Sequence, residues 1–325
     1  MAIQVEQLTY RIFNENDIPG ILSLWEKFSG WGEISEKQFK DWHINTPNGP
    51  CTIVIAQTQD GEIIGQMVFR PTMVLINGSK VVGYRVMAPI LNNNFRESDL
   101  RSYDHPSHCM IRLGNAHAIA NNIKVIFFSP SIGWVPILKV FPGYGLPDTQ
   151  VALFDCIGID VSKINADKAN ETELLQVETG IISEKYEKLW ERFIVNCKIN
   201  NAISRSADWL QWRRGDDLIL EANDVETQEL KGVVIIKKST GQVVEVMAQD
   251  LVSLKQTMKA VTYWLSQNSN EIKIVEIKLM LTPIIEQAVS DLPVHSINYR
   301  FAFVCFNPEN KELPLLKDWF IMPDE

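Results

Sequence analysis

The chain has 325 residues, 46% of them hydrophobic and 22% charged, which is enough apolar mass for two cores and argues against disorder. Its formal net charge is -9, and its longest basic clusters are the pairs Arg213 with Arg214 and Lys237 with Lys238. Neutralising phosphate needs clustered cations, so nucleic acid and anionic membrane surfaces are poor partners, whereas a cationic substrate or basic peptide is electrostatically welcome.

The opening residues, MAIQVEQLTYRIF, lack the basic start and long apolar stretch of a signal peptide, so the expected location is cytoplasmic. A short strand is predicted over 8–13. Asn14 or Asn16 can cap the helix that follows, with Pro19 in its first turn. Ile18, Ile21, Leu22, Trp25 and Phe28 then fall on one helical face, and Gly30 ends it. Ser35 caps a second helix reaching about His43. Three strands follow, over 52–58, 63–75 and 80–91, joined by turns at Asp60-Gly61 and Asn77-Gly78. Pro71 inside the second of them suggests a bulge or an edge.

Residues 92–106 are polar and read as a loop. A helix over 107–122 carries Met110, Ile111, Gly114 and Ala118 on one side. The run IKVIFFS reads as a buried strand, a short helix is predicted over 133–141, and a strand over 149–159 is expected to close the first sheet. Residues 161–180 are polar and form the best linker. Beyond them come a helix over 184–198, a helix start at 206–213, and strands over 218–222, 229–237 and 242–248. A helix over 251–267, a strand over 273–280, a helix over 283–292 and a strand over 299–306 complete the chain. Both halves thus repeat one order, in elements rather than residues, and the expected domains are 1–162 and 180–325. The five cysteines are odd in number and lack a C-x-x-C pair, which predicts free thiols. No apolar stretch approaches 18 residues, so no membrane span is expected.

This element order resembles the GNAT (GCN5-related N-acetyltransferase) superfamily, in the tandem form of some bacterial acyltransferases. YRVMAPIL (84–91) looks like the family's fourth strand, NNNFRESDLRSYDHPS (92–107) stands where its pyrophosphate loop lies, KVIFFSPS (124–131) looks like its fifth strand, and GWVPILKVFPGYG (133–145) resembles its final short helix. In the second half, SADWLQWRRGDDLILEAND (206–224), ELKGVVIIKK (229–238) and the tail LLKDWFIMPDE (315–325) look like the degenerate second copy. The resemblance implies an α/β fold of two tandem domains, each a mixed, mostly antiparallel sheet flanked by helices. It implies an N-acyltransferase using acyl-CoA as co-substrate, with no tightly bound cofactor and no metal. The acceptor would be an amine on an amino sugar, amino acid or peptide, and an acyl carrier protein is an alternative donor. In that fold the thioester carbonyl is polarised by backbone N–H where the sheet splays, here Met87, Ala88, Pro89, Ile90 and Leu91 facing residues 127–129.

One departure stands out. The family's phosphate loop runs from Arg or Gln to closely spaced glycines, which let backbone N–H reach phosphate. Arg96 fits the first place, but Asp99 occupies the glycine position, and no glycine occurs between Gly83 and Gly114. Arg96, Arg101 and the helix terminus at Ser107 are then the candidates for holding phosphate, unless a carrier protein presents the donor or the copy is a silent binding module.

Tyr144 is the candidate acid for the leaving thiolate, against a plain role in the Gly-Tyr-Gly ending. His105 and His108 beside the donor loop are candidate bases, against solvated or helix-start histidines. With His117 they lack metal-site spacing. Ser129 either contacts the donor or ends its strand. Asp216, Asp217, Glu221 and Asp224 could hold a cationic amine or form a solvated turn and strand edge; Trp209, Trp212 and Trp264 could line a groove or fill the second core. No G-x-S-x-G, Walker loop, H-E-x-x-H or dinucleotide fingerprint is present, which disfavours hydrolase, kinase and dehydrogenase readings. A third reading is aminoacyl transfer from charged tRNA, against which the negative charge argues.

Overall fold

In the computed structural model, residues 8–96, 102–138, 146–164 and 174–322 are described. The chain divides into two units. The first is drawn from residues 1–74, 80–151 and 303–313, and the second from 75–79, 152–302 and 314–325.

In the first unit, β1 (Thr9–Ile12) leads through a capped turn into α1 (Ile18–Phe28). Asn14 makes the cap, its side chain accepting from Asn16 N while its own N–H bonds Asp17. α1 buries Ile18, Ile21, Leu24 and Trp25, close to the predicted face. α2 (Glu36–His43) begins at the Ser35–Gln38 capping box and buries Phe39 and His43. β2 (Thr52–Gln57), β3 (Ile63–Ile76) and β4 (Ser79–Leu91) form the predicted meander. Pro71 lies past the last β2–β3 pair, Thr52 with Phe69, so its missing N–H removes no bond to β2.

The polar stretch predicted as loop contains one helical turn, α3 (Asn93–Arg96). α4 (Pro106–Ala120) then leads to β5 (Val125–Phe128), and a short α5 (Val135–Leu138) follows. Both sheet faces are covered. Ile53, Ile55 and Val68 pack with α1 and α2, whereas the alternate residues Val54, Ala56, Met67 and Phe69 pack with Met110 and Ile111 of α4. That two-sided burial explains why these strands read as continuous apolar runs.

The strand expected to close this sheet does not. β6 (Gln150–Asp160) pairs antiparallel with residues 276–280 within the second unit, Ile157 opposite Leu279. The place beside β5 is taken by the end of the last strand, Val304 opposite Phe128 and Phe306 opposite Ile126. An apolar strand pattern encodes burial and pleat, not the choice of partner.

In the second unit the predicted linker ends in a strand, β7 (Leu175–Thr179), antiparallel to residues 220–224. Its alternation of half-buried and exposed residues marks an edge, which is why its polar sequence read as linker. After it come α6 (Glu184–Asn196), a two-residue β8 (Ala202–Ile203) and α7 (Ala207–Arg214). The meander is β9 (Leu218–Asp224), β10 (Leu230–Lys237) and β11 (Gln242–Ala248). α8 (Leu251–Ile272), β12 (Glu276–Met280), α9 (Pro283–Ala288) and β13 (Val294–Phe306) follow. The strand order here is β6-β12-β11-β10-β9-β7.

The core of this unit encloses charge. Arg205 Nε lies 2.9 Å from Glu245 Oε2 with both side chains fully buried, and Arg214 approaches the other carboxylate oxygen at 3.6 Å. The Arg205 guanidinium also sits 5.1 Å from the Trp190 ring and 5.7 Å from that of Trp209. Among the described residues no helix is long and apolar enough to cross a membrane.

Candidate active site

β4 and β5 run parallel and pair at Gly83 with Val125, Tyr84 with Ile126 and Arg85 with Phe127. The ladder stops there, while β4 continues to Leu91 and β5 ends at Phe128. β4 is itself irregular just beyond the last pair. Ala88 has φ 46, the left-handed region, in the middle of the strand. Met87 and Ala88 are consecutive, yet both pack on the α1 and α2 side, with Ile90. Val86 and Leu91 pack on the α4 side. Two neighbours on one face are the mark of a bulge, which bends a strand and disrupts its ladder locally.

Gln66 of β3 supports the bulge from below. It is fully buried, and its Nε2 donates to Ala88 O at 3.4 Å. Its Oε1 has no hydrogen-bond partner among the described residues. Pro89 carries no N–H, so any main-chain donor of this stretch belongs to Met87, Ala88, Ile90 or Leu91.

α4 opens toward the same end of the sheet, and its first turn is self-contained. His105 is the N-cap, and its Nδ1 accepts from Ser107 N at 3.2 Å. The N–H of His108 and that of Cys109 reach His105 O at 2.9 and 3.1 Å, and Pro106 has none to offer. His105 and His108 are both buried, their rings edge to face with centroids 5.5 Å apart. His105 thus serves as a cap, a job for which its residue type gave no signal. Ser107 is buried with its amide engaged.

Arg96 lies at the end of α3, exposed, with its NH2 donating to Phe28 O and Leu91 O, each at 3.3 Å. It ties the end of α1 to the end of β4. Ser129 follows β5 and is half-buried. Tyr144, Arg101 and Asp99 lie outside the described residues.

Other predicted candidates belong to the second unit. Glu221 is buried, accepts from Tyr186 Oη and pairs with Lys185 at 2.6 Å. Burial first, then the Glu221 hydrogen bond, raises the Tyr186 pKa and holds it as a phenol. Asp224 caps a turn through Thr227, and Asp217 lies 3.9 Å from Arg214. Trp209 is buried in the core, and Trp264 packs against it half-buried.

Sequence reasoning missed three features of the first unit. Gln66 was visible as the one amide in the apolar run IIGQMVF. His43 is fully buried, and burial, then the Arg70 charge, pushes its pKa down to about 3, so it is a neutral imidazole. Tyr10 has its pKa raised, first by burial and then by Cys109.

No protein-family model matches this chain, and no curated protein matches it in sequence. Solved structures do match in shape. A GCN5-related N-acetyltransferase from Anabaena variabilis is 10% identical, with TM-score 0.65 over 92% of this chain and 72% of that one. A probable N-acyltransferase from Enterococcus faecalis is 11% identical, with TM-score 0.62 over 91% and 72%. Saccharomyces cerevisiae N-myristoyltransferase, solved with bound myristoyl-CoA, is 7% identical, with TM-score 0.58 over 94% and 80%. Likeness at this identity speaks to fold, and it agrees with the bulged β4 and the helix after it: the chain has the GCN5-related N-acetyltransferase fold.

Proposed function

We propose that the chain is an N-acyltransferase that carries an acyl thioester beside β4, past Arg85, and passes the acyl group to an amine. The observation that carries this reading is the ladder between β4 and β5 ending at Arg85 and Phe127, beside a bulge at Ala88. A thioester carbonyl placed there is polarised by a main-chain N–H of the Met87–Leu91 stretch, a preorganised dipole aimed at developing negative charge. The neutral amine attacks the carbonyl carbon, the C–S bond breaks, and the proton lost by nitrogen goes to sulfur. Tyr144 is our candidate for delivering that proton. The fold neighbours crystallised with myristoyl-CoA support acyl-CoA as the donor.

A second reading is a catalytically silent binding module, or a donor presented by an acyl carrier protein. The engaged amides of the first α4 turn favour it, since a pyrophosphate finds no unused N–H at that turn. In the acyl-CoA reading, Arg96, Arg101 and Ser129 hold the donor by side chain. Calorimetric titration with acetyl-CoA, myristoyl-CoA and CoA separates these readings. Micromolar binding of a CoA thioester supports the enzyme. Flat traces throughout, with binding to an acylated carrier protein, move the donor to the carrier. Flat traces with every donor reject acyl transfer.

A further inference from the structure

β3 is irregular beside the bulge of β4. Ala56 of β2 stands opposite Gly65 and Gln57 opposite Ile63, so Ile64 is the extra residue of a second bulge. Its carbonyl accepts from Asn92 N, one residue past β4, at 2.8 Å. Ile64 packs on the α4 side, and Gly65 faces the same way: a β-carbon there would lie 2.9 Å from Leu91 Cδ1 and 3.4 Å from Met110 Cε. Leu91, at the end of β4, lies in the space that the missing side chain leaves.

Gln66, the next residue, points to the other face. It stands opposite Ile55, which packs with α1 and α2, and its Nε2 donates to Ala88 O at 3.4 Å. So long a hydrogen bond adds little to stability. Burying an amide in an apolar layer costs stability, and Oε1 has no partner among the described residues. Methionine has about the same volume and would fill the place without that cost. What the amide supplies instead is a hold on Ala88, whose φ of 46 an alanine keeps only where its surroundings impose it.

We propose that Gln66 is a positioning residue for acyl transfer. By holding Ala88 O it fixes the peptide planes of the Met87–Leu91 stretch, and with them the main-chain N–H that polarises the thioester carbonyl. Gln66 acts through the backbone and exchanges no proton with the substrate. The inference rests on the acyl-transfer reading of β4.

The test reads the carbonyl stretch of acetyl-CoA, isotope-labelled at its carbonyl carbon, by infrared difference spectroscopy. It compares the intact wild-type chain with Gln66→Met, Ala88→Gly and the double variant, alongside calorimetric titration of acetyl-CoA and CoA. Bound to wild type, the band is expected below that of free acetyl-CoA, because a hydrogen bond to the oxygen weakens the C=O bond. Gln66→Met is expected to lose most of that shift and to bind acetyl-CoA about fivefold more weakly, the scale of one hydrogen bond. Its CoA affinity and melting temperature should change little, since relief of the positive φ at Ala88 offsets the lost contact. Glycine takes a positive φ unaided, so Ala88→Gly alone keeps the shift and the double variant recovers it. A purely structural role for Gln66 would not produce that recovery. Gln66→Asn, one methylene short of Ala88 O, replaces Gln66→Met if that variant does not fold. A full shift in the folded single variant, equal losses of acetyl-CoA and CoA binding, or no recovery in the double variant overturns the proposal and leaves the acyl-transfer reading standing. Acetyl-CoA bound to wild type without a shift removes polarisation by β4, and a wild-type chain that binds no thioester removes the acyl-transfer reading itself; the proposal falls with either.

Discussion

Gly114 of α4 rests directly on the ring of Phe69 in β3: a β-carbon at position 114 would overlap that ring. This contact sets how closely α4 approaches the sheet beside the β4–β5 opening. Gly114→Ala is expected to destabilise the first unit by about 2 kcal/mol, the usual scale of overpacking. Phe69→Leu alone should also destabilise, through lost packing, but the double variant should be less destabilised than the two effects added. Urea denaturation of the four proteins measures this, and strict additivity would contradict the contact.

Acid should weaken the fold through His43. Its folded pKa is pushed down to about 3, below the unfolded value near 6.5, so between these values the unfolded chain binds the extra proton. The His43 contribution is fully present above about 6.5 and is lost as pH falls toward 3. His43→Met should flatten the stability profile between pH 6 and 4 relative to wild type, by up to about 1 kcal/mol per pH unit. Identical slopes in both proteins would exclude His43 as the cause.

Glu245 compensates two buried guanidinium groups, those of Arg205 and Arg214. Glu245→Leu strands that charge and should cost about 3–5 kcal/mol. Adding Arg205→Met should recover part of the loss. Thermal unfolding of single and double variants reads this directly.

Arg96→Ala removes the link between Phe28 O and Leu91 O and withdraws a cation from the donor side. Acetyl-CoA binding should weaken about tenfold, the scale of one charge-assisted contact, with a smaller fall in melting temperature. Unchanged affinity would remove Arg96 from the donor site.

Much of the fold was legible because its causes are local. The Ser35 cap, the Ile18–Ile21–Trp25 stripe and the Asn77-Gly78 turn each carry their physics within a few residues. The bulge at Ala88 was not legible, since alanine has no preference for positive φ and only its surroundings impose it. The resemblance directed attention to the end of β4, but neither it nor the residue types signalled the capping role of His105 or the support from Gln66. Both are long-range or conformational facts, set by where α4 and β3 come to lie.

The placement of Val304, Cys305 and Phe306 beside β5 bears on how the chain is made. A ribosome releases residues 8–138 long before residue 306 exists, so the nascent first unit must wait with one flank of β5 bare. Its sheet closes only after the second unit has been made. Separate expression of the first 151 residues should therefore give an aggregating fragment, and supplying the remainder in trans should restore solubility.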